Sequence, residues 1–218
     1  MNGRIVNGCM LSEMSEQAET RVERKERTRR ALLDGTLTLA AERGFAALSL
    51  REIARSAGIV PTAFYRHFDS LDELGTALVD EGVRQLRLAL RQLRRTPDAR
   101  LAETVRFVFA QIAGREDLYG FLIRERHGGA PALRTAIATE MQLITRELVV
   151  DISRIPTLDA WPTDDLELAA DLIVSTVADH IADFVAAPLR DRPQLVDRTV
   201  GQVRMIALGM AAWKPHTV

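Results

Sequence analysis

Thr62, Ala63 and Arg66 belong to the stretch PTAFYRHF, in which Phe64 and Phe68 are the large apolar residues. At helical spacing the two sets project from opposite sides. A short helix that buries its phenylalanines therefore offers a threonine, an alanine and an arginine to whatever lies outside. A guanidinium fork pairs bidentately with O6 and N7 of guanine, and a threonine meets a phosphate or a thymine methyl. The chemistry is that of a side-chain set read into a major groove. Tracking phosphate is the alternative role for Arg66, since most contacts of this kind go to the backbone. Arg27, Thr28 and Arg29 open a preceding helix and look like phosphate clamps, against the alternative of a solvated charged face.

Other groups with chemical capacity are less pointed. Asp179, His180 and Asp183 lie within one helical turn, but two carboxylates and one histidine without a further ligand make a poor metal set, and a core or interface histidine is the plainer role. Arg124, Glu125, Arg126 and His127 follow an apolar helix and can greet an anionic head group or form a helix-end ion-pair cluster. Catalysis finds little support. There is no G-x-S-x-G elbow, phosphate loop or HExxH, and the single cysteine, Cys9, has no plausible base. No metal or cofactor is expected.

The elements that must position Thr62, Ala63 and Arg66 are legible around them. Ser49 with Glu52 forms a capping box that starts a helix, on which Leu50, Ile53, Ala54 and Ala57 share a face. Gly58 supplies a left-handed residue to end it, and Pro61 restarts the chain at a first helical position. Two short helices joined by a tight turn make a helix-turn-helix. Upstream, Leu33, Leu37, Ala40 and Ala41 form one stripe of a helix closed by Gly44. Gly35 weakens that helix by roughly 1 kcal/mol relative to alanine, which predicts a close neighbour there, the helix starting at Leu50.

Charge separates this head from the rest. Between Arg21 and Phe68 ten Lys/Arg face five Asp/Glu, a net of +5, so the remainder carries −6 of the overall −1. A basic end on an acidic body is the asymmetry of a chain that turns one end toward phosphate. With 218 residues, 47% of them hydrophobic, there is enough for one or two packed domains. No apolar run approaches the ~18 residues of a membrane span, and no signal pattern opens the chain, so a cytoplasmic protein without a membrane partner is expected.

Residues 1–20 have no period and read as a disordered leader, with Met10 and Met14 as alternative starts. After the head, Ser70 and Glu73 form a second capping box, and a helix of about 24 residues runs through Leu74, Leu78, Leu86, Leu90 and Leu93 to Arg94 and Arg95 before Thr96-Pro97-Asp98 stops it. Further helices carry Leu101 to Ile112, Leu118 to Leu122, and Leu133 to Ile152. One capped by Thr163, Asp164 and Asp165 spans roughly 164–187 and is apolar for most of its circumference, so it must be buried on more than one side. The last, from Pro193, interleaves Gly201, Ala207, Gly209, Ala211 and Ala212 with larger residues. The fold class is all-α, divided as a leader 1–20, a helix-turn-helix domain 21–70 and a helical ligand-binding and dimerisation domain 71–218.

The run GFAALSLREIARSAGIVPTAFYRHFDSLDEL, preceded by RTRRALLDGTLTLAAER, resembles the DNA-binding head of the TetR family of transcriptional regulators. The resemblance covers about 22–75. Gly44-Phe45, Ser49, Ile53-Ala54, Ala57-Gly58, Phe64-Tyr65 and His67-Phe68 stand at family spacing. It implies a three-helix head on a helical bundle, a homodimer on double-stranded palindromic operator DNA, and backbone contacts from Ser49, Tyr65 and His67; for an isolated His or Tyr, packing would be the plainer reading. Three positions depart from it: Val60 where a serine often caps the recognition helix, Leu71 where a lysine often meets phosphate, and Ala40 where phenylalanine is usual. More narrowly, GIVPTAFYRHF, LDELG, LVDE and LIRERHG resemble the FabR-like subgroup of repressors of unsaturated fatty-acid synthesis.

The function expected is thus a ligand-responsive repressor of lipid or fatty-acid genes, dimeric through its last two helices, with an apolar small-molecule effector such as a long-chain acyl-coenzyme A or acyl carrier thioester. Phe107, Phe109, Phe121, Met141, Ile144, Ile173, Val177 and Phe184 are expected to surround that effector, with Arg124 and Arg126 at the rim for its head group. The alternative is an all-helical lipid carrier or enzyme with a vestigial head, against which the concentration of positive charge speaks.

Overall fold

A computed structural model describes residues 20–93, 101–158 and 161–213, and among these all regular structure is helical. The first helix, α1 (Arg21–Arg43), begins on a capping box that composition alone does not advertise. The Thr20 hydroxyl accepts the Glu23 amide, and the Glu23 carboxylate accepts the Thr20 N–H. The expected leader therefore gives way to helix at Thr20. Its other residues, with Cys9, Met10 and Met14, lie outside the described part. The buried face of α1 is Leu32, Leu33, Thr36, Leu37 and Ala40, whereas Ala41 of the expected stripe is exposed. Thr36 can take a core position because its hydroxyl donates to the Leu32 carbonyl at 2.7 Å, which satisfies the polar group inside its own helix.

Gly44 closes α1, and a single 3-10 turn, Phe45–Ala47, leads to α2 (Leu50–Ser56). At Ser49 the amide donates to the Glu52 carboxylate at 3.0 Å and the hydroxyl accepts from the Glu52 amide, so the box forms as the residues require. The Ser49 hydroxyl also donates to the Glu52 carboxylate at 2.7 Å, and that bond first, then the Ser49 amide and Arg43, brings the Glu52 carboxyl down to about 2. Gly58, at φ 70°, turns the chain, and α3 (Pro61–Phe64) follows with Pro61 in its first turn. Val60 caps α3 without a side-chain hydrogen bond. The close approach expected at Gly35 is present: a Cβ there would lie 2.2 Å from Ser56 Oγ, at the end of α2.

From Ser70 a continuous rod carries the chain away from the head as α4 (Leu71–Val79), a π-helical turn at Asp80–Arg84, and α5 (Gln85–Leu93). Ser70 accepts from the Glu73 amide, but the Glu73 carboxylate bonds the Asp69 amide rather than that of Ser70. The π turn is a departure from the plain helix expected, and it coincides with Gly82, where a Cβ would lie 2.3 Å from Leu122. Arg94, Arg95 and Thr96-Pro97-Asp98, expected to end the rod, lie outside the described residues.

The body is completed by α6 (Leu101–Ile112), α7 (Glu116–Gly128), α8 (Pro131–Ile152), α9 (Thr163–Ala186) and α10 (Arg192–Ala212). The α9 helix packs on α8 and α10, α10 on α6, and α7 on both α1 and α8, so the head is held by α7 as well as by the rod. Thr163 is the first residue of α9 rather than its cap; Pro162 holds that place and makes no side-chain bond. Nor is α9 enclosed all round: Leu168 and Leu172 are 62% and 52% exposed.

Candidate DNA interface and ligand cavity

Phe64 and Phe68 are buried, their rings tilted against each other with centroids 5.8 Å apart, in the head core with Leu32 and Ile53. That anchoring fixes the rotation of α3. Thr62 and Arg66 are exposed on the other side, Ala63 is half-buried, and Tyr65 stands 59% exposed with its ring edge-on to Phe64. Helical turns continue past Phe64, the Arg66 amide donating to the Ala63 carbonyl and that of His67 to the Phe64 carbonyl, so Arg66 is carried on ordered backbone.

Residues expected to clamp phosphate divide by what already engages them. Arg29 lies over the Phe68 ring at 4.3 Å and donates to the His67 carbonyl at 3.4 Å, which ties α1 to the end of the α3 turn. Its first work is therefore internal, with its charge left close to the α3 surface. The Thr28 hydroxyl donates to the Arg24 carbonyl at 2.9 Å, and Arg27 is exposed. Ser49 is exposed and occupied by its capping bonds. The His67 Nδ1 is buried without a hydrogen-bond partner among the described residues. Burial, with the nearby charges of Lys25, Arg29 and Arg66, lowers the His67 pKa, so the ring is neutral at pH 7.

In the body, a cavity of about 490 Å³ lies between α5, α6, α8, α9 and α10. Met141, Ile144, Ile173 and Val177 all line it, as grouped from sequence. The phenylalanines do not. Phe109 packs on Phe184 at 5.0 Å, the Arg192 guanidinium covers Phe184, and Phe121 meets Phe45 edge-on at 5.7 Å, so these rings fill core rather than bound the cavity. Phe107 is half-buried against the same core. Arg124 and Arg126 are also misplaced by the sequence reading, because α7 spends its apolar face on α1, α8 and α9 and, among the described residues, contributes nothing to the lining. Between them Glu125 is buried and accepts the Ala130 N–H at 3.1 Å, a helix-end structural role.

Sequence reasoning missed the contribution of the rod and of the α8 end: Leu86, Leu90, Ile152 and Leu158 complete the walls, with Thr104, Asp151 and Thr157 as the polar side chains among the described lining. The available signal was the stripe Ile144, Leu148, Asp151, Ile152, in which a carboxylate occupies an apolar face. It also missed the link between head and body. Glu81 in the π turn accepts from Arg30 of α1 at 2.6 Å and from Arg115, before α7, at 3.1 Å. In the candidate metal set, the His180 Nδ1 is 2.7 Å from the Thr176 carbonyl of its own helix, and Asp179 and Asp183 are exposed.

Residues 32–78, which include the helix-turn-helix just described, match the model of the bacterial regulatory proteins of the tetR family. The described helices have a TetR-like fold. The chain superposes on the fatty acid degradation regulator FadR from Bacillus halodurans at 20% identity, covering 84% of this chain and 95% of that one with a TM-score of 0.66. It is similar to FadR from Bacillus subtilis, solved in complex with stearoyl-CoA, at 19% identity, 81% and 96% coverage and a TM-score of 0.64. A transcriptional regulator from Rhodococcus sp. Rha1 matches at 23% identity, 85% and 96% coverage and a TM-score of 0.63.

Proposed function

We propose that this chain is a TetR-type transcriptional repressor that acts in the cytoplasm as a homodimer on a palindromic operator, with residues 21–70 as its DNA-binding unit and 71–218 as its ligand and dimerisation unit. The observation that carries the reading is α3: two buried phenylalanines hold Thr62, Ala63 and Arg66 outward on a basic head. Dimerisation is supported by an apolar face that one copy leaves open. Leu168 and Leu172 of α9 and Met205 and Leu208 of α10 are each more than half exposed, large apolar side chains on two helices that pack on each other. The two heads then meet half-sites ~34–36 Å apart or a multiple of that.

The effector we propose is a long-chain acyl thioester, its tail in the aliphatic cavity. Two things support this: a volume within the usual range of ligand sites, and fatty-acid regulators among the structural neighbours, one solved with an acyl-coenzyme A. The FabR-like resemblance of GIVPTAFYRHF points the same way. Effector releases DNA by linkage: it binds more tightly to the head spacing that does not fit the operator, and operator affinity falls by the same factor.

Fluorescence anisotropy with the DNA upstream of its own gene tests the first part. Saturable, sequence-preferring, salt-dependent binding is expected; equal affinity for scrambled DNA overturns it. Mass spectrometry of small molecules retained through purification tests the second, with an acyl chain expected.

A further inference from the structure

Residues 187–191 join α9 to α10, and the two helices, 24 and 21 residues long, pack on each other, so they run antiparallel. The joined end of this pair is the end near the head. Val185 lies 3.5 Å from where a Cβ on Gly120 of α7 would stand, and Arg192 pairs with Glu116 and covers the Phe184 ring at 4.9 Å. Beyond it α7 packs on α1, with Phe121 against Phe45. The outer face of the pair is divided along its length. On α9, Leu168, Leu172, Asp179 and Asp183 are exposed and fall within about 60° of one another at 3.6 residues per turn. On α10, Arg198, Met205 and Gly209 are exposed within about 40°. Apolar side chains thus hold the far end of both helices, and charges of opposite sign hold the end near the head. Asp179, Asp183 and Arg198 have no ion-pair partner among the described residues.

Resting on the dimer reading above, we propose that a second copy of this chain covers this face with the two-fold axis running along α9 and α10, and that Asp179 and Asp183 of each copy pair with Arg198 of the partner subunit. A two-fold contact sets one patch against itself. With the axis along the helices like ends meet, so apolar side chains face apolar ones and the aspartates face an arginine. With the axis across them, Asp179 and Asp183 would be pressed onto an apolar end, and charge would be buried without a partner. The favoured axis also leaves both heads at one end of the dimer, where a single operator can meet the two. An apolar patch alone accepts any helix pair of similar shape. The charges supply what rejects a wrong partner, because aspartates set against an acid repel. They close the dimer beside the heads and restrict pairing to chains with the same pattern.

Two full-length variants test this by sedimentation velocity: Arg198→Asp, which leaves the interacting positions acidic, and Asp179→Arg with Asp183→Arg, which leaves them basic. Each alone is expected to dimerise about ten-fold or more weakly than the wild type. Mixed in equal amounts, they should form a heterodimer within about three-fold of the wild-type affinity. Circular-dichroism melts verify that both fold. Should either fail, Arg198→Gln takes their place, and it is expected to weaken the dimer about three-fold or more at low salt and to remove most of its salt dependence. Either reversed variant dimerising alone as tightly as the wild type, a mixture that stays monomeric, or an unchanged Arg198→Gln dimer overturns the proposal and leaves a dimer held by the apolar end. A wild type that sediments as a monomer overturns the dimer reading beneath it as well.

Discussion

Glu81 is a carboxylate bonded to both the helix-turn-helix head and the body, which makes Glu81→Gln a test of how the two communicate. Glu81 Oε1 accepts from Arg30 and Arg115, and the Glu81 carbonyl also accepts from Arg115 at 3.2 Å. The Glu81 side chain is 18% exposed, against 56% for Arg30 and 33% for Arg115. Pairs open to solvent contribute ~0–1 kcal/mol and breaking a buried pair costs ~3–5. This half-sheltered pair, with the Arg30 side discounted for solvent, lies near the low end, at about 1–2 kcal/mol. In a chain of this length that lowers Tm by about 2–8 °C. Glutamine keeps the shape but removes the anion that the two guanidiniums share, leaving Arg30 with Asp34 alone, 2.9 Å away in its own helix. The head should then move more freely against the rod, and the ratio of operator affinities with and without lauroyl-coenzyme A should shrink several-fold. Melting by circular dichroism and anisotropy titrations read the two effects separately. If Tm falls as expected while the affinity ratio stays at the wild-type value, Glu81 is only a staple and the coupling runs through the α1–α7 contact.

Arg66→Ala should weaken operator binding by ~1–3 kcal/mol and relax preference at one base pair per half-site, whereas Arg27→Ala should weaken all sequences alike and reduce the salt slope by about one unit per head; uniform loss in both removes Arg66 as a base reader. At Gly209 an added Cβ meets nothing within 4 Å of its own chain, so Gly209→Arg should leave the monomer folded yet shift sedimentation toward monomer, and a mutant that stays dimeric places the interface elsewhere. Because folding lowers the His67 pKa, the unfolded ring takes a proton first, and stability from this residue declines as pH falls below about 6.5 toward the lower folded value. His67→Gln should flatten that decline in chemical denaturation, and an unchanged profile refutes the assignment. For Glu52 the sign is opposite to that of a raised group: its capping contribution is whole above 4.5 and is lost as pH falls toward about 2.

What the sequence made legible was local, and what it hid was set by which helix met which. The Ser49 box, the Gly58 turn and the Pro61 restart each depend on a few adjacent residues, and all three stand where the residues place them. The neighbour at Gly35 was legible too, because glycine inside a helix costs stability unless something comes close. The cavity was half legible. Met141 and Ile144 sit on one helix and Ile173 and Val177 on another, so periodicity grouped them, but periodicity also gave Phe109, Phe121 and Phe184 inward faces. An inward face does not distinguish core from pocket: that depends on whether the opposing helix fills the space, and Phe184 finds Phe109 and Arg192 where Val177 finds a void. Aromatic bulk, taken from sequence as a sign of ligand contact, is on this scaffold what closes the core beside the head. The aliphatic end, where side chains are too small to meet, is left open for something else to fill.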